Sequence, residues 1–192
     1  MLGKIKSVLE ESVALKTTVL SDQNLLEQIG KAVHLIVTAF RNSNKVLFCG
    51  NGGSAADAQH LAAELSGRFY YDRNPLDAEA LHVNTSYLTA VANDYSYSEI
   101  YSRLVKAKGN TGDILVALST SGNSENIVKA MTTAREKGMI TIALTGRSGG
   151  IMKSHADLLL NVPSSDTPRI QEVHITIGHI ICELVESELF PR

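Results

Sequence analysis

Apolar residues recur at helical spacing through the first 42 residues, and from residue 44 onward short apolar runs alternate with longer amphipathic stretches. The first part predicts two helices, with Ser21 and Asp22 as the break and the cap between them. Short apolar strands that alternate with helices are typical of a parallel sheet covered by helices on both faces. The pattern therefore predicts an α/β protein with a doubly wound, parallel, five-stranded sheet and an N-terminal helix pair.

The same pattern places the individual elements. Strands are predicted at 46–49, around 80–83, and at 114–118, 140–144 and 158–162, and helices at 54–66, 86–107, 124–137 and 168–189. We expect one domain over residues 1–192, with the helical pair at 1–42 and the α/β core at 44–192. The helix pair could pack on its own domain or on another subunit, and the pattern favours neither. Residues 70–77 are predicted to be a surface loop with a possible role as a lid.

The turns that follow the predicted strands are rich in small and polar residues. They occupy 50–54, 119–124 and 145–150. Ligands of doubly wound sheets bind at this carboxyl edge. The turn Ser119–Ser124 would form a cradle for a phosphate from its hydroxyls, Gly122 and the free N–H groups of the following helix. Residues of these types also cap helices, which is the alternative interpretation. Because the chain has neither a P-loop lysine at the required spacing nor G-x-G-x-x-G, a phosphorylated small molecule is favoured over ATP or NAD.

Composition and charge narrow the function classes. The formal net charge is -2, hydrophobic residues make up 44% and charged residues 20%. This balance is typical of a globular protein and gives no field that would attract nucleic acid or an anionic membrane. With two cysteines, no signal-like segment and no membrane-spanning run, the chain is expected to be cytoplasmic with reduced cysteines.

Two side chains on the predicted helix at 54–66 have the chemistry of a reactive site. His60 and Glu64 are four residues apart and so share one face of the helix. Such a pair could be a surface hydrogen bond, half of a metal site or an acid/base pair. Small apolar residues surround it, so we expect this helix to be largely buried, and a buried carboxylate needs a partner or a function.

The C-terminal helix carries further candidates. Gln171 and His179 are eight residues apart and lie near the same face of the helix, but about 12 Å apart along its axis. They could bind one ligand only if their side chains reach toward each other along a groove or if residues of another subunit take part. His174 is predicted to be a core histidine. Elsewhere, Asn93 and Asp94 could form a helix end or contact a sugar, and the residues alone leave that choice open.

Taken in order, several segments resemble the bacterial phosphoheptose isomerases of the SIS (sugar isomerase) family. The resemblance covers almost the whole chain. It is carried by Cys49–His60, Ala63–Arg68, Ala92–Tyr95, Ser119–Ser124 and Arg169–Glu172, together with His174 and His179. One local departure from the family is Pro168, because some members have an acidic residue at this position. The polar contact that this acidic residue makes is absent here, but proline is compatible with the first turn of a helix.

The resemblance implies a homotetramer with active sites at subunit interfaces. It also implies conversion of sedoheptulose 7-phosphate into D-glycero-D-manno-heptose 7-phosphate, toward the heptose of lipopolysaccharide or other surface glycans. By the same resemblance, one zinc ion per subunit is held by His60, Glu64, Gln171 and His179. Isomerisation through an enediol needs a base and an acid, and the chemistry of the residues makes Glu64 the expected base and His179 the expected acid. The implied substrate-binding residues are Asn51, Gly52, Gly53, Ser54, Glu64, Asn93, Asp94, Ser119, Thr120, Ser121, Ser124 and Gln171.

One relative of these isomerases suggests a different class of function. It is a non-catalytic tetrameric scaffold that associates with the replication initiator protein, and this chain resembles it in the ending Leu189-Phe190-Pro191. The scaffold lacks the residues that match Glu64 and His179, whereas both are present here. The sequence therefore favours the enzyme.

Overall fold

In a computed structural model that describes all 192 residues, five parallel strands form a single sheet. Their order across the sheet is β2-β1-β3-β4-β5, so the chain first moves from β1 to one edge and then returns to build the other side. The predicted fold class, with a doubly wound parallel sheet, is confirmed. The strands are β1 (Val46–Gly50), β2 (Ala78–Ala80), β3 (Ile114–Ser119), β4 (Ile140–Thr145) and β5 (Leu158–Asn161).

Helices cover both faces of the sheet. They are α1 (Leu2–Ser21), α2 (Gln23–Arg41), α3 (Gly53–Ser66), α4 (Thr85–Asp94), α5 (Ile100–Lys108), α6 (Glu125–Glu136) and α7 (Thr167–Leu189), with short 3₁₀ helices at Tyr97–Glu99 and Ile151–Ser154. One core cluster joins α2, α3 and α7 to the face that includes Phe48 and Val116. The other joins α4, α5 and α6 to the face that includes Leu47 and Leu115. The central strands are thus buried on both sides, which explains their continuous apolar runs.

Two predicted boundaries are wrong. The helix predicted at 86–107 is divided into α4 and α5, because Tyr95 leaves the helical conformation and Ser96 is fully extended. Both halves pack on the same face of the sheet, so the apolar periodicity continues across the break and conceals it. Strand β2 lies at 78–80 rather than around 80–83, and pairs with the first three residues of β1.

The N-terminal helices differ from each other. Helix α2 buries seven residues in the core, whereas α1 buries none. Helix α1 lies against α7 through polar contacts, in which Ser12 donates to Glu172 at 2.7 Å and Arg169 donates to the carbonyl of Val8 at 2.9 Å. Its exposed large apolar side chains are Leu2, Ile5, Leu9, Val13 and Leu20. None of the helices combines the length and the apolar run that a membrane span requires.

Asp113 ties the amino ends of β1 and β3 together. Its carboxylate accepts the backbone N–H groups of Lys45 and Asn110 at 3.0 and 2.8 Å and an amide N–H of Asn44 at 3.1 Å, and it pairs with Lys45 Nζ at 2.8 Å. Burial alone would raise the pKa of Asp113, but these hydrogen bonds outweigh it and leave the pKa below its ordinary value of 3.8. The ionised form is therefore the one that stabilises the fold.

We expect Asp113→Asn to lower the free energy of unfolding by about 2 kcal/mol at pH 7, the scale of hydrogen bonds to a charged group. Since the pKa of Asp113 is lowered in the folded state, its contribution is present above pH 3.8 and lost as the pH falls through the folded pKa. Urea unfolding from pH 7 down to pH 3 should show a shallower loss of stability in the variant than in the wild type. Parallel curves would contradict this account.

Candidate active site

The site lies where the strand order reverses, at the carboxyl ends of β1 and β3. These two strands are neighbours, with Gly50 beside Leu118, yet their following helices leave toward opposite faces of the sheet. A crevice opens at such a switch point. Here it is a cavity of about 210 Å³. Its lining residues are Asn51, Ser54, Leu118, Ser119, Thr120, Ser121, Ser124, Thr167 and Gln171.

We call the turn Ser119–Ser124 the serine turn. Its hydroxyls cluster together: Ser119 Oγ lies 3.1 Å from Ser124 Oγ and 3.5 Å from Ser121 Oγ. Ser124 occupies the N-cap position of α6, but its side chain accepts no capping hydrogen bond. The interpretation of these residues as mere helix caps is therefore not supported. Hydroxyl donors beside free N–H groups at a helix start have the chemistry that an anion site requires.

The turn at 145–150 and the short 3₁₀ helix that follows it support the serine turn. The N–H groups of Gly146 and Met152 donate to the carbonyls of Thr120 and Gly122, at 3.0 and 2.9 Å. Gly122 has φ 68°, and a Cβ there would collide with the carbonyl of Gly149. This second glycine-rich turn, which the sequence placed on the same edge as the serine turn, thus fixes the shape of the serine turn.

Asn51, at the end of β1, is held by two residues that the sequence analysis missed. Its amide exchanges hydrogen bonds of 2.8 and 2.9 Å with the amide of the buried Asn126, and Tyr97 Oη donates to its Oδ1 at 3.1 Å. An asparagine in the first turn of a helix is too ordinary to be noticed in a sequence. The predicted ligand Asn51 therefore enters the cavity with its orientation already set.

A second group of reactive side chains lies between α3 and α7. His60 Nε2 is 3.0 Å from Glu64 Oε1 and 3.3 Å from His179 Nε2. The candidate ligand atoms of these three residues all lie within 4.8 Å of one another. The structure therefore brings together three of the four residues that the resemblance assigned to zinc, and we call them the His–Glu–His cluster.

Helix α3 is less buried than predicted. Only one of its faces, which includes Ala58, Leu61 and Leu65, is buried, and the side chains of His60 and Glu64 are 49% and 25% exposed. The prediction failed because alanine, which dominates this helix, is compatible with both buried and exposed positions. The His–Glu–His cluster consequently lies at an edge that is open in the single chain.

The remaining predicted residues occupy different places. Gln171 lines the cavity and packs against Gly53, where any Cβ would collide with its amide. Asn93 and Asp94 are exposed at the end of α4, hydrogen-bonded to each other at 2.9 Å, and are not among the residues that line the cavity. His174 is a core residue, as predicted, and burial lowers its pKa to about 4, so it is neutral.

The donor set and spacing of the His–Glu–His cluster fit a zinc ion. Imidazole nitrogen and carboxylate oxygen are both zinc ligands, and tetrahedral ligands at about 2.1 Å from the metal are about 3.4 Å apart. Two of the three separations in the cluster, 3.0 and 3.3 Å, are close to that value, and all of its ligand atoms lie within 4.8 Å of one another. A carboxylate beside two imidazoles can also move protons, so the same residues suit general acid/base chemistry.

Comparison with known proteins gives a consistent picture. A family model described as "SIS domain" matches residues 9–146. The phosphoheptose isomerase of Clostridium acetobutylicum is 51% identical over 99% of this chain and 97% of its own length, and that of Geobacter sp. (strain M21) is 54% identical over 99% and 98%. The solved structure of phosphoheptose isomerase GmhA from Neisseria gonorrhoeae matches with a TM-score of 0.91 and 43% identity, covering 97% of this chain and 98% of that one. A phosphoheptose isomerase from Francisella tularensis matches with a TM-score of 0.93 and 40% identity over the same shares.

Replacing Gly122 should test the shape of the serine turn. We expect Gly122→Ala to lower the free energy of unfolding by about 2 kcal/mol or more, because alanine is strained at positive φ and its Cβ would collide with Gly149. The matched control is Gly30→Ala, on the exposed side of α2, where a Cβ meets no atom within 4 Å. That change should stabilise the protein by up to about 1 kcal/mol. Equal urea-unfolding midpoints for the two variants would contradict the assignment.

Proposed function

The chain belongs to the SIS domain family, and within it to the phosphoheptose isomerases, and we propose that it converts sedoheptulose 7-phosphate into D-glycero-D-manno-heptose 7-phosphate. The observation that carries this proposal is the convergence of His60, Glu64 and His179 between α3 and α7, two helices that also border the cavity at the serine turn through Ser54 and Gln171. The cavity has the donors for an anion, and the cluster has the groups that can move protons. An aldose–ketose isomerase acting on a sugar phosphate requires both.

The spacing along α3 between the cavity and the His–Glu–His cluster agrees with a heptose phosphate. Helices α3 and α7 lie side by side, with Gly53 against Gln171 near one end and Leu61 against Gly178 further along. From Gly53 to His60 the rise along α3 is about 10 Å. In a heptose 7-phosphate the phosphate and the reacting carbons are at opposite ends of the molecule. The serine turn would hold the phosphate while C1 and C2 lie at the His–Glu–His cluster.

The reaction moves one proton between two carbons through an enediol. In the proposed mechanism Glu64 removes a proton from C1 of the ketose, while His179 donates a proton to the carbonyl oxygen on C2, which gives the enediol. His179 then takes the proton of the C1 hydroxyl, and Glu64 returns its proton to C2. These steps leave an aldehyde at C1 and a hydroxyl at C2, and both side chains regain their starting protonation. No atoms are gained or lost, as an isomerisation requires.

Zinc is a proposed cofactor, one ion per subunit. His60, Glu64 and His179 would hold it, and Gln171 is the proposed fourth ligand. When bound, the ion supplies a positive charge that polarises the oxygens on C1 and C2 and stabilises the enediolate.

The product of the proposed reaction would enter the heptose of lipopolysaccharide or other surface glycans.

The proposed assembly is a homotetramer with active sites between subunits. Two observations support the assembly. Helix α1 exposes an apolar stripe from Leu2 to Leu20 that a monomer would leave in water. Asn93 and Asp94, implied substrate ligands, are exposed away from the lining of the cavity and could instead serve a site that includes another subunit.

Removal of the proposed base should abolish turnover without affecting the fold. We expect Glu64→Gln to lower kcat by about 1,000-fold or more, since an amide cannot take the proton and proton transfer supplies a large share of the rate. Glu183→Gln is the matched control, because Glu183 is exposed on α7 and the substitution should leave kcat unchanged. The measurement is turnover of sedoheptulose 7-phosphate together with the mass in solution. Substantial activity of Glu64→Gln would overturn the base assignment, and an inactive wild type would favour the scaffold.

Metal dependence can be tested separately. We expect chelation to remove one zinc ion per subunit and most of the activity, with recovery after zinc is added back. In His60→Ala the zinc content should fall below one ion per ten subunits, because one of the three converging ligands is lost. Full activity in a chelated, zinc-free preparation would contradict the proposed cofactor.

A further inference from the structure

The segment between α3 and β2 is anchored to α7 by a buried ion pair. Arg73 Nε lies 3.0 Å from Glu186 Oε1, and the two side chains are only 2% and 1% exposed. Removing two charges from water is costly unless their other hydrogen-bonding groups are also satisfied. The predicted surface loop is therefore fixed at its centre, so a free lid is not a suitable description of it.

Arg73 satisfies the last turn of α3. Its Nη2 donates to the carbonyl of Glu64 at 2.9 Å, and its Nη1 donates to the carbonyls of Leu65, Gly67 and Asn74 at 2.8, 3.0 and 3.0 Å. The last carbonyls of a helix otherwise lack partners, and a positive charge there is favourable. Glu64, whose side chain is in the His–Glu–His cluster, is thus held through its backbone by Arg73.

Glu186 performs the corresponding role on α7. Its oxygens accept the N–H groups of Phe69 and Tyr70 at 2.9 and 2.7 Å, in addition to the pair with Arg73. The ring of Phe69, whose backbone N–H is held by that hydrogen bond, lies against the His179 ring with centroids 5.7 Å apart. Burial alone would raise the pKa of Glu186, but these donors outweigh it and lower the pKa, so the carboxylate is charged at neutral pH.

These contacts connect both proposed catalytic residues to one ion pair. Glu186 follows His179 by seven residues, two turns further along the same face of α7. We propose that Arg73 and Glu186 are positioning residues for the isomerase reaction, which fix the carboxylate of Glu64 and the ring of His179 at their working separation, with Phe69 as the contact to the ring. The inference rests on the proposed function.

A positioning role predicts a particular kinetic pattern. Proton transfer is sensitive to small displacements of the base and the acid. The phosphate, in contrast, would bind at the serine turn, near the start of α3 where Gly53 lies against Gln171. Loss of the ion pair should therefore lower kcat and leave KM nearly unchanged. A role in stability alone would lower the unfolding temperature without changing kcat of the folded enzyme.

The test uses the full-length, zinc-loaded protein. In Glu186→Gln, an isosteric change, we expect kcat for sedoheptulose 7-phosphate to fall about tenfold at 10 °C, with KM within twofold of the wild type. Zinc affinity, measured by competition with a chelator, should fall by about tenfold, the lower end of the range for loss of a group that orients a ligand. Glu79→Gln, in the exposed pair with Lys108, is the control and should change neither quantity.

A second variant protects the test against misfolding. Phe69→Leu keeps the backbone N–H that Glu186 accepts and removes only the ring, so it should fold normally and lower kcat several-fold, whereas Phe69→Tyr should restore most of the rate. Wild-type kcat and zinc affinity in both Glu186→Gln and Phe69→Leu would overturn the proposal. If the wild type has no turnover, the proposed function fails, and zinc affinity in the same variants still decides whether the ion pair positions the cluster.

Discussion

The close packing of α3 against α7 is the contact on which the rest of the site depends. Gly178 permits it, because a Cβ at that position would collide with Leu61. Next to this contact, His60 and His179 lie 3.3 Å apart. Near the start of α3, Gly53 leaves room for the amide of Gln171, which a Cβ at that position would contact too closely. If the helices were further apart, His179 would be separated from His60 and Glu64.

The sheet determines where this helix pair stands relative to the serine turn. Helix α3 starts directly after β1, and the serine turn follows its neighbour β3, so the two lie on either side of the switch point. The parallel register of β1 and β3 fixes the height of both turns, and Asp113 secures that register at the opposite ends of the strands. The rigid core thereby places the residues proposed for binding and for chemistry.

The features that could be predicted from the sequence are those with local signals. Buried strands appeared as apolar runs, and the serine turn was visible because five polar residues and a glycine follow a strand. A helix end at Asn93 and Asp94 was left open, and the break at Tyr95 could not be decided because apolar spacing persists on both sides of it. The pairing of Arg73 with Glu186 was missed because its members are 113 residues apart and look like ordinary surface charges. Long-range polar contacts leave no periodic trace, so they emerge only from the fold.

Glu64 is assigned both a proposed ligand role and a proposed base role, and the geometry indicates how one carboxylate could serve both. A carboxylate has two oxygens, and Oε1 is the one that faces His60 at 3.0 Å. Oε1 is directed toward the cluster, and the backbone carbonyl of Glu64 is held by Arg73, so the side chain and the backbone of this residue each have a partner. In the proposed mechanism Oε2 is then the atom that takes the proton. A carboxylate shared with a cation is a weaker base than a free one, so its effectiveness must come from fixed position more than from basicity. That requirement explains why the last turn of α3 would need an anchor as firm as the buried ion pair.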